Sequence, residues 1–201
     1  MGTAEKSVIH YAFNNTPIDW SLLANAVMFY TRIGYVQIET PWALPVEYME
    51  GTKPHDKQTF VMDSGRFDLQ PHELVGSAEQ GFSYLLANDL LPEGKYFSVT
   101  PCFRDDNYDA THQPWFLKLE LFIRNTDPSR HQAGLMRMTA VCKQYFESLT
   151  DQECSIVPLG DTFDIMLNGV EVGSYGIKKS QFGEYIYGTG LALPRFTSAR
   201  K

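Results

Sequence analysis

The chain has 201 residues, 43% of them hydrophobic and 20% charged, which is the composition of an ordinary globular protein with a single sizeable core. Its formal net charge of −7 argues against strong non-specific binding of nucleic acid, because that binding needs a surface rich in Lys and Arg. The sequence contains no apolar run long enough to span a membrane, and residues 1–10 lack the apolar stretch of a signal peptide, so we expect a cytosolic protein.

Three cysteines occur, at positions 102, 142 and 154, and no two of them form a Cys-x-x-Cys pair. An odd number without that spacing indicates neither a disulfide framework nor a zinc ribbon. We therefore expect buried free thiols.

Apolar residues at helical spacing predict a helix over residues 19–33, with Asp19 as its N-cap and Gly34 after its end. The β-prone run 35–40 follows and predicts a short strand. Residues 46–73 contain scattered Gly, Pro, His and Asp, and the pattern predicts irregular structure there.

A second helix is predicted over residues 78–90, and two antiparallel strands over 96–103 and 115–123, joined by a polar loop. Asp127-Pro128 opens a third helix, because proline is favoured in the first helical turn. Four strand-like stretches follow, at residues 154–158, 162–167, 170–177 and 184–187. A short last helix follows Pro194. Helices together with hairpin-connected strands predict an α+β fold built on an antiparallel sheet.

The second of the two paired strands carries an unusual row of side chains. Side chains alternate across a strand, so Phe116, Lys118 and Glu120 share one face. An aromatic ring, a cation and a carboxylate in one row indicate a binding surface, although a solvated face with one exposed aromatic residue would give the same pattern.

Two glycine-containing segments near the end, 171–176 and 188–195, could let the backbone approach a ligand closely, or could simply form tight turns. Arg195 could bind phosphate or stack on a base. The sequence has no phosphate-binding P-loop, no serine-hydrolase elbow and no His-Glu-x-x-His zinc motif.

The order of these segments resembles that of the class II aminoacyl-tRNA synthetases. Residues 34–41 resemble motif 1, residues 102–120 motif 2 and residues 188–195 motif 3. Residues 76–79 resemble the amino-acid-binding loop between motifs 1 and 2. The resemblance runs from about residue 20 to residue 196, and motif 2 is most similar to the seryl branch.

The resemblance implies one catalytic domain over residues 1–201, with an antiparallel β-sheet flanked by helices, and it assigns roles position by position. Arg104 and Arg195 would be catalytic. Mg²⁺ would be held by Glu171 and Ser174. The residues implied to bind ATP are Arg104, Asp106, Phe116, Glu171, Ser174, Gly190 and Arg195. Those implied to bind the substrate are Ser77, Glu79 and Glu120.

In the implied chemistry, Arg104 contacts the α-phosphate and the substrate carboxylate, and offsets the charge that develops at phosphorus. Phe116 lies under adenine and Arg195 covers it from above, as a cation–π sandwich. A carboxylate is already a nucleophile, so no general base is required. The implied activity is ATP-dependent formation of an amino-acid or carboxylate adenylate, with transfer to tRNA, a protein or ammonia.

Three departures from the family pattern leave a second reading open. In motif 2, Asp106 stands where the family usually has Glu, two residues after the arginine. In motif 3, Pro194-Arg195 stands in place of Glu-Arg. The sequence ends at Lys201, soon after motif 3. On that reading the chain is a non-catalytic synthetase paralogue that binds ATP or an amino acid as a regulatory or assembly module.

The resemblance also implies a homodimer, with an interface supplied by the apolar stripe on residues 22–33 and by Trp42. Alternatively, this stripe packs on the chain's own sheet. No second domain for tRNA is recognisable, and the net charge is negative, so we expect weak binding of tRNA.

Overall fold

The computed structural model describes residues 17–49, 52, 60–62, 72–104 and 113–201. The described α-helices are α1 (Trp20–Arg32), α2 (Ala78–Ala87), α3 (His131–Ser148) and α4 (Arg195–Ala199). The first described strands are β1 (Val36–Gln37), β2 (Ala43–Pro45), β3 (Val61–Met62), β4 (His72–Leu74) and β5 (Gly94–Phe103). The remaining strands are β6 (Trp115–Arg124), β7 (Ser155–Leu159), β8 (Thr162–Leu167), β9 (Val170–Ser180) and β10 (Gly183–Leu193).

A seven-stranded sheet organises the chain, in the order β1-β5-β6-β10-β9-β8-β7. All neighbours in it are antiparallel except β1, which pairs with β5 in parallel. A small antiparallel sheet has the order β2-β4-β3. The predicted α+β fold with an antiparallel sheet and flanking helices is confirmed.

The predicted first residues of the helices agree with the structure more closely than the predicted last residues. Asp19 caps α1, accepting a hydrogen bond from the Leu22 amide at 2.9 Å. Asp127 caps a 3-10 turn, Pro128–Arg130, that leads into α3. The predicted helix over 78–90 was too long at its C-terminal end, because Asp89 takes the left-handed conformation at φ +55° and turns the chain out of the helix.

The prediction of irregular structure over 46–73 was partly wrong. Among the described residues of this range, Val46–Tyr48 forms a 3-10 helix, and β3 and β4 pair with each other. The predicted strand over 35–40 was also too long, since only Val36 and Gln37 pair with β5. Short strands of this kind depend on partners distant in the sequence, which local patterns do not reveal.

The large sheet has two different faces. On β6, Leu117, Leu119 and Leu121 point to one side, which we call the core face. Phe116 and the residues that alternate with those leucines point to the other side, which we call the polar face. The alternation predicted from the sequence therefore separates two layers of different chemistry.

Helices α1, α3 and α4 cover the core face. Four residues of α1 are buried there, namely Leu22, Leu23, Ala26 and Tyr30. The apolar stripe predicted to form a dimer interface thus packs mainly on the chain's own sheet, which was the alternative. Ile33 and Trp42 remain exposed.

Helix α2 covers one end of the polar face, and the other described helices leave the rest of that face uncovered. Phe82 of α2 stacks on Phe122 at 4.6 Å between ring centroids, and Phe122 stacks in turn on Tyr185 at 4.6 Å. Gly81 allows the helix to lie against Thr40, whose Cβ would be 2.5 Å from a Cβ at position 81. These contacts fix the N-terminus of α2 above the sheet.

All three cysteines are buried free thiols, as predicted. Within the described part of the chain, no helix combines the length and the apolar character needed to cross a membrane.

A bulge at Gly190 interrupts the pairing of β10 with β6, and it supplies a stability test. A Cβ at this position would lie 2.5 Å from Leu119 Cδ2 and 2.9 Å from Tyr30 Cε2. We expect Gly190→Ala to lower the free energy of unfolding by about 1–3 kcal/mol through overpacking, measured by urea denaturation. Gly160→Ala, in an open turn at φ +63°, is expected to lose only the ~1 kcal/mol of left-handed backbone strain. Equal small losses in both variants would contradict this packing account.

Candidate active site

The open part of the polar face brings together most of the residues singled out in the sequence. Arg104 follows the end of β5, and Phe116 lies near the start of β6. Glu171 and Ser174 lie on β9, and Arg195 opens α4 directly after β10. Asp106 lies outside the described residues, so its predicted contact with ATP stays a prediction.

Arg104 is held in place at the mouth of this surface. Its Nε donates to the Gly76 carbonyl at 3.0 Å, and its backbone amide donates to the Pro114 carbonyl at 3.0 Å. Its guanidinium carbon lies 5.1 Å from the centroid of the Phe116 ring. The terminal nitrogens of Arg104 are thus presented next to an aromatic face, which suits an anion attached to a flat ring.

Glu120 is a buried carboxylate at the junction of the sheet with α2. It accepts a hydrogen bond from the Ser77 hydroxyl at 2.6 Å, another from the Ala78 amide, and an ion-paired hydrogen bond from Lys118 Nζ at 2.8 Å. Burial raises the pKa of the Glu120 carboxyl, but Lys118 and the two hydrogen-bond donors outweigh burial, so the pKa lies below its ordinary value.

The two oxygens of Glu120 are therefore already occupied by groups of the chain itself. Ser77 is likewise engaged, since its hydroxyl caps α2 by accepting from the Glu79 amide at 3.2 Å. The structure brings Ser77, Glu79 and Glu120 together, and Ser77 and Glu120 position the start of α2. Their predicted contact with the substrate stays a prediction.

Glu79 is the second buried acid of this region. Its Oε1 accepts a hydrogen bond from the Tyr185 hydroxyl at 2.8 Å and lies 3.7 Å from Lys178 Nζ. Burial raises the pKa of the Glu79 carboxyl, and Lys178 opposes that rise. Both known partners contact Oε1, which leaves Oε2 as the atom that can accept a ligand.

A third group of charges lies at the other end of the open surface. Arg195 Nη1 forms an ion pair with Glu171 Oε1 at 3.2 Å. On the neighbouring strand β8, Asp164 lies opposite Ser174, and Met166, two residues on, lies opposite Glu171, so Asp164 and Glu171 lie on the same face of the sheet. Burial raises the pKa of the Asp164 carboxyl, Ser174 opposes that rise, and the Glu171 carboxylate adds to it.

Asp164 is the site residue that the sequence reasoning missed. It lies two strands from β10 and outside every motif quoted above. Its signal in the sequence was a lone acid in a predicted strand otherwise rich in apolar residues, Thr162–Leu167.

The pair of Asp164 and Glu171 fits a magnesium ion. Carboxylate oxygens are the donors that Mg²⁺ prefers, and the ion commonly binds through one or two carboxylates together with phosphates and water. Ser174 faces Asp164 and can support that side chain. Among the described residues, no group of three or more His, Cys, Asp or Glu side chains converges, so phosphate oxygens would have to complete the coordination.

Packing in the core requires a glycine at position 190. Its carbonyl accepts a hydrogen bond from the Tyr30 hydroxyl at 2.9 Å, and the space of its missing side chain is filled from the core face. Its predicted contact with ATP stays a prediction.

Comparison with known proteins assigns the family. The sequence profile of the tRNA synthetases class II (D, K and N) matches residues 19–153, more than half of the chain. The chain therefore belongs to the class II tRNA synthetase family. The match contains α1, the whole of β5 and β6 and the Glu120 junction between them and α2.

Two curated relatives are similar over part of this range. The chain is 29% identical to the aspartate–tRNA(Asp/Asn) ligase of Campylobacter hominis over 118 residues, which is 58% of this chain and 18% of that protein. It is 29% identical to the aspartate–tRNA ligase of Deinococcus deserti over 119 residues, 57% of this chain and 19% of that protein. The chain thus matches about a fifth of the length of either relative.

Solved structures of class II enzymes share the fold. The seryl-tRNA synthetase of Pyrococcus horikoshii, solved with ATP, superimposes with a TM-score of 0.73 at 18% identity, over 90% of this chain and 49% of that one. The pyrrolysyl-tRNA synthetase PylSc of Desulfitobacterium hafniense gives 0.69 at 15% identity, over 96% and 73%. These identities show the fold alone, and the seryl-like branch stays a prediction.

The Glu120 junction generates a test of stability. We expect Glu120→Gln to lower the free energy of unfolding by about 3 kcal/mol, because it leaves the Lys118 ammonium without its partner in a mostly buried position. The double variant with Lys118→Met should recover part of that loss. The exposed Glu153→Gln is the control and should change stability by less than about 0.5 kcal/mol.

The same variant has a predicted pH dependence. The folded-state pKa of Glu120 lies below the ordinary value of 4.5, so its contribution is complete above that pH and is lost as the pH falls through the folded-state pKa. The difference between wild type and Glu120→Gln should therefore be larger at pH 7 than at about pH 3. A difference independent of pH in chemical denaturation would contradict the charge-based account.

Proposed function

We propose that the polar face binds Mg²⁺-ATP and an amino acid or related carboxylate, and joins them as an adenylate with release of pyrophosphate. The observation that carries the proposal is the placement of Arg104, Phe116 and the Asp164–Glu171 pair on the part of the polar face that the described helices leave uncovered. Membership of the class II tRNA synthetase family supports it, because adenylation is the reaction of that family.

The nucleotide would bind with its adenine against Phe116. This ring is half-buried on the polar face, and Arg104 lies next to it, where it can reach the α-phosphate. Arg195 is now paired with Glu171, so binding of ATP would have to exchange that partner for adenine or the γ-phosphate. A triphosphate can compete for a guanidinium with a single carboxylate, because it offers more charge and more acceptor oxygens.

In the reaction, a carboxylate oxygen of the substrate attacks the α-phosphorus of ATP. The new bond joins that oxygen to phosphorus, the bond from phosphorus to the bridging oxygen of pyrophosphate breaks, and no proton moves. Arg104 would stabilise the charge at the α-phosphate, and the rigid sheet would hold the reacting atoms in line. The chain needs to supply position and positive charge only.

A magnesium ion held by Asp164 and Glu171, with Ser174 supporting Asp164, would neutralise the phosphate oxygens of ATP. The ion would also offset the Glu171 charge that contributes to the raised pKa of Asp164. Their placement on the polar face, on the neighbouring strands β8 and β9, is the reason for placing the ion there.

The amino-acid substrate would place its ammonium group on Glu79 Oε2. Glu120 is the weaker candidate for that contact, because its oxygens are already bonded to Ser77, Ala78 and Lys118. Both curated relatives are named as aspartate–tRNA ligases, so aspartate is the first substrate to test. Lys178 and Lys118 provide positive charge in the same region, which favours an acidic substrate over a basic one.

Transfer of the activated group to tRNA is the activity that the names of both relatives give. For this chain, tRNA is one of three candidate acceptors, and the other two are a protein and ammonia. The net charge of −7 favours weak binding of tRNA by this chain alone.

Pyrophosphate exchange into ATP tests the proposed reaction. With Mg²⁺ and a panel of amino acids headed by aspartate, the wild type should catalyse exchange with at least one of them. Asp164→Asn should lower the rate about 100-fold or more at limiting Mg²⁺ and partly recover at high Mg²⁺, since a lost metal contact acts mainly on affinity. The exposed Asp161→Asn serves as control and should exchange like the wild type. ATP binding without exchange for any amino acid would favour the non-catalytic paralogue.

The position of adenine is tested by calorimetry with ATP and Mg²⁺. Phe116→Ala should weaken ATP binding by about 1–3 kcal/mol, the usual contribution of a base stacked on an aromatic ring. Trp115→Ala is a matched control, because this neighbouring aromatic residue points to the opposite side of β6 and should leave affinity unchanged. Equal loss in both variants, or loss in neither, would contradict the assignment.

We also propose that the protein forms a homodimer, since class II synthetases are often dimers. Apolar side chains remain exposed on α1, on β1 and just after β1, at Trp20, Met28, Val36 and Trp42. Sedimentation at micromolar concentration should give a dimer for the wild type, and Val36→Lys with Trp42→Ser should shift it toward monomer. The exposed Leu159→Ser, on the far edge strand β7, should leave the dimer intact. A monomeric wild type would refute the proposal.

A further inference from the structure

A second cavity lies on the core face, away from the candidate active site. Its volume is about 550 Å³, within the range of pockets that hold small molecules. It is lined by residues that follow α1, the start of β5, the end of β6, the first half of β10 and the first half of α3. None of them belongs to the candidate active site.

The charged groups of this cavity are all positive. Lys95, Arg130 and Arg137 line it, and no Asp or Glu does. Arg130 has an exposed partner, Asp127, at 3.2 Å. Lys95 and Arg137 form no ion pair within the described part of the chain. The charged side chains that line this concavity are therefore all cations, in a protein with a net charge of −7.

Two of these cations converge on Tyr35 in the cavity wall. Lys95 Nζ lies 5.9 Å from the centroid of the tyrosine ring. Arg137 lines the same cavity as Tyr35 and Lys95. Burial and the neighbouring Cys142 raise the pKa of the Tyr35 phenol, and the Arg137 guanidinium opposes that rise. An anion bound beside Tyr35 would therefore meet two positive groups that have no carboxylate to displace.

The floor of the cavity is apolar and fixed. It consists of aliphatic side chains of the sheet and of α3, chiefly Ile123, Met138, Val141 and Ile186. Gly134 lets α3 press directly on the sheet, since a Cβ there would lie 2.6 Å from Ile186 Cδ1. The helix and the sheet are thus in full contact beside the cavity, and the cavity itself is a formed concavity with an apolar base and a cationic rim.

We propose that this cavity binds a small organic anion, with a carboxylate, phosphate or sulfonate head at Lys95 and Arg137 and an apolar body on the isoleucine floor. The proposal is independent of the proposed adenylation, because the site lies on the other side of the sheet. Its volume is that of a site for a small molecule, and we commit to a small molecule rather than an acidic segment of another protein.

Three small molecules test this proposal on the wild-type protein. They differ in whether they carry the anionic head, the apolar body or both. Octanoate carries both head and body, acetate only the head, and octanol only the body. Saturation-transfer NMR and calorimetry should show octanoate binding at least about tenfold more tightly than acetate or octanol, since the charge-assisted contact and the apolar burial act together. Mg²⁺-ATP should not displace octanoate. Octanoate that fails to bind, binds no better than octanol, or is displaced by ATP overturns the proposal.

Variants locate the binding. Arg137→Ala should weaken octanoate about tenfold, Arg137→Lys should retain most of the affinity, and Lys179→Ala, which removes an exposed cation outside the cavity, should have no effect. Ala133→Trp places a ring over the cavity from an exposed helical position, so it should abolish binding while circular dichroism remains that of the wild type. If Ala133→Trp does not fold, the octanoate affinities of Arg137→Ala, Arg137→Lys and Lys179→Ala still test the proposal. Unchanged octanoate affinity in Arg137→Ala, or a dimer in which a second copy covers the cavity and excludes every probe, would refute the site.

Discussion

The buried carboxylate of Glu120 is the interaction on which the rest of the candidate site depends. It joins the polar face of β6 to the first turn of α2, through the Ser77 hydroxyl and the Ala78 amide, and it neutralises Lys118 on its own strand. A helix end that is buried needs partners for its free amides, and here the sheet supplies one. Because α2 begins at this point, Glu79 comes to lie over Tyr185 and Lys178.

A sheet with two unlike faces explains how one small fold can hold both a core and a site. The core face takes α1, α3 and α4, and the bulge at Gly190 lets β10 fit closely against Tyr30 and Leu119. Among the described elements, α2 is the helix that covers the polar face, and it covers one end of it. Reactive groups on the remaining surface rest on strands whose other side is packed, and such support favours the exact placement that an in-line attack on phosphorus requires.

Much of this arrangement could be predicted from the sequence. Alternation in β6 placed Phe116 and Glu120 on one face, and Arg104 of the same motif lies against Phe116. What sequence reasoning missed depends on contacts between distant segments. Asp164 joins the site because β8 pairs with β9 opposite Ser174, and Glu120 is occupied because a helix from residue 78 begins above it. Neither pairing has a local signal.

The central claim is that the open part of the polar face is the nucleotide site. A crystal structure of the protein with ATP and Mg²⁺ tests it most directly. The account predicts adenine stacked on Phe116, the α-phosphate at Arg104, and the metal bound to Asp164 and Glu171. Adenine bound elsewhere, or a metal that contacts neither carboxylate, would contradict it.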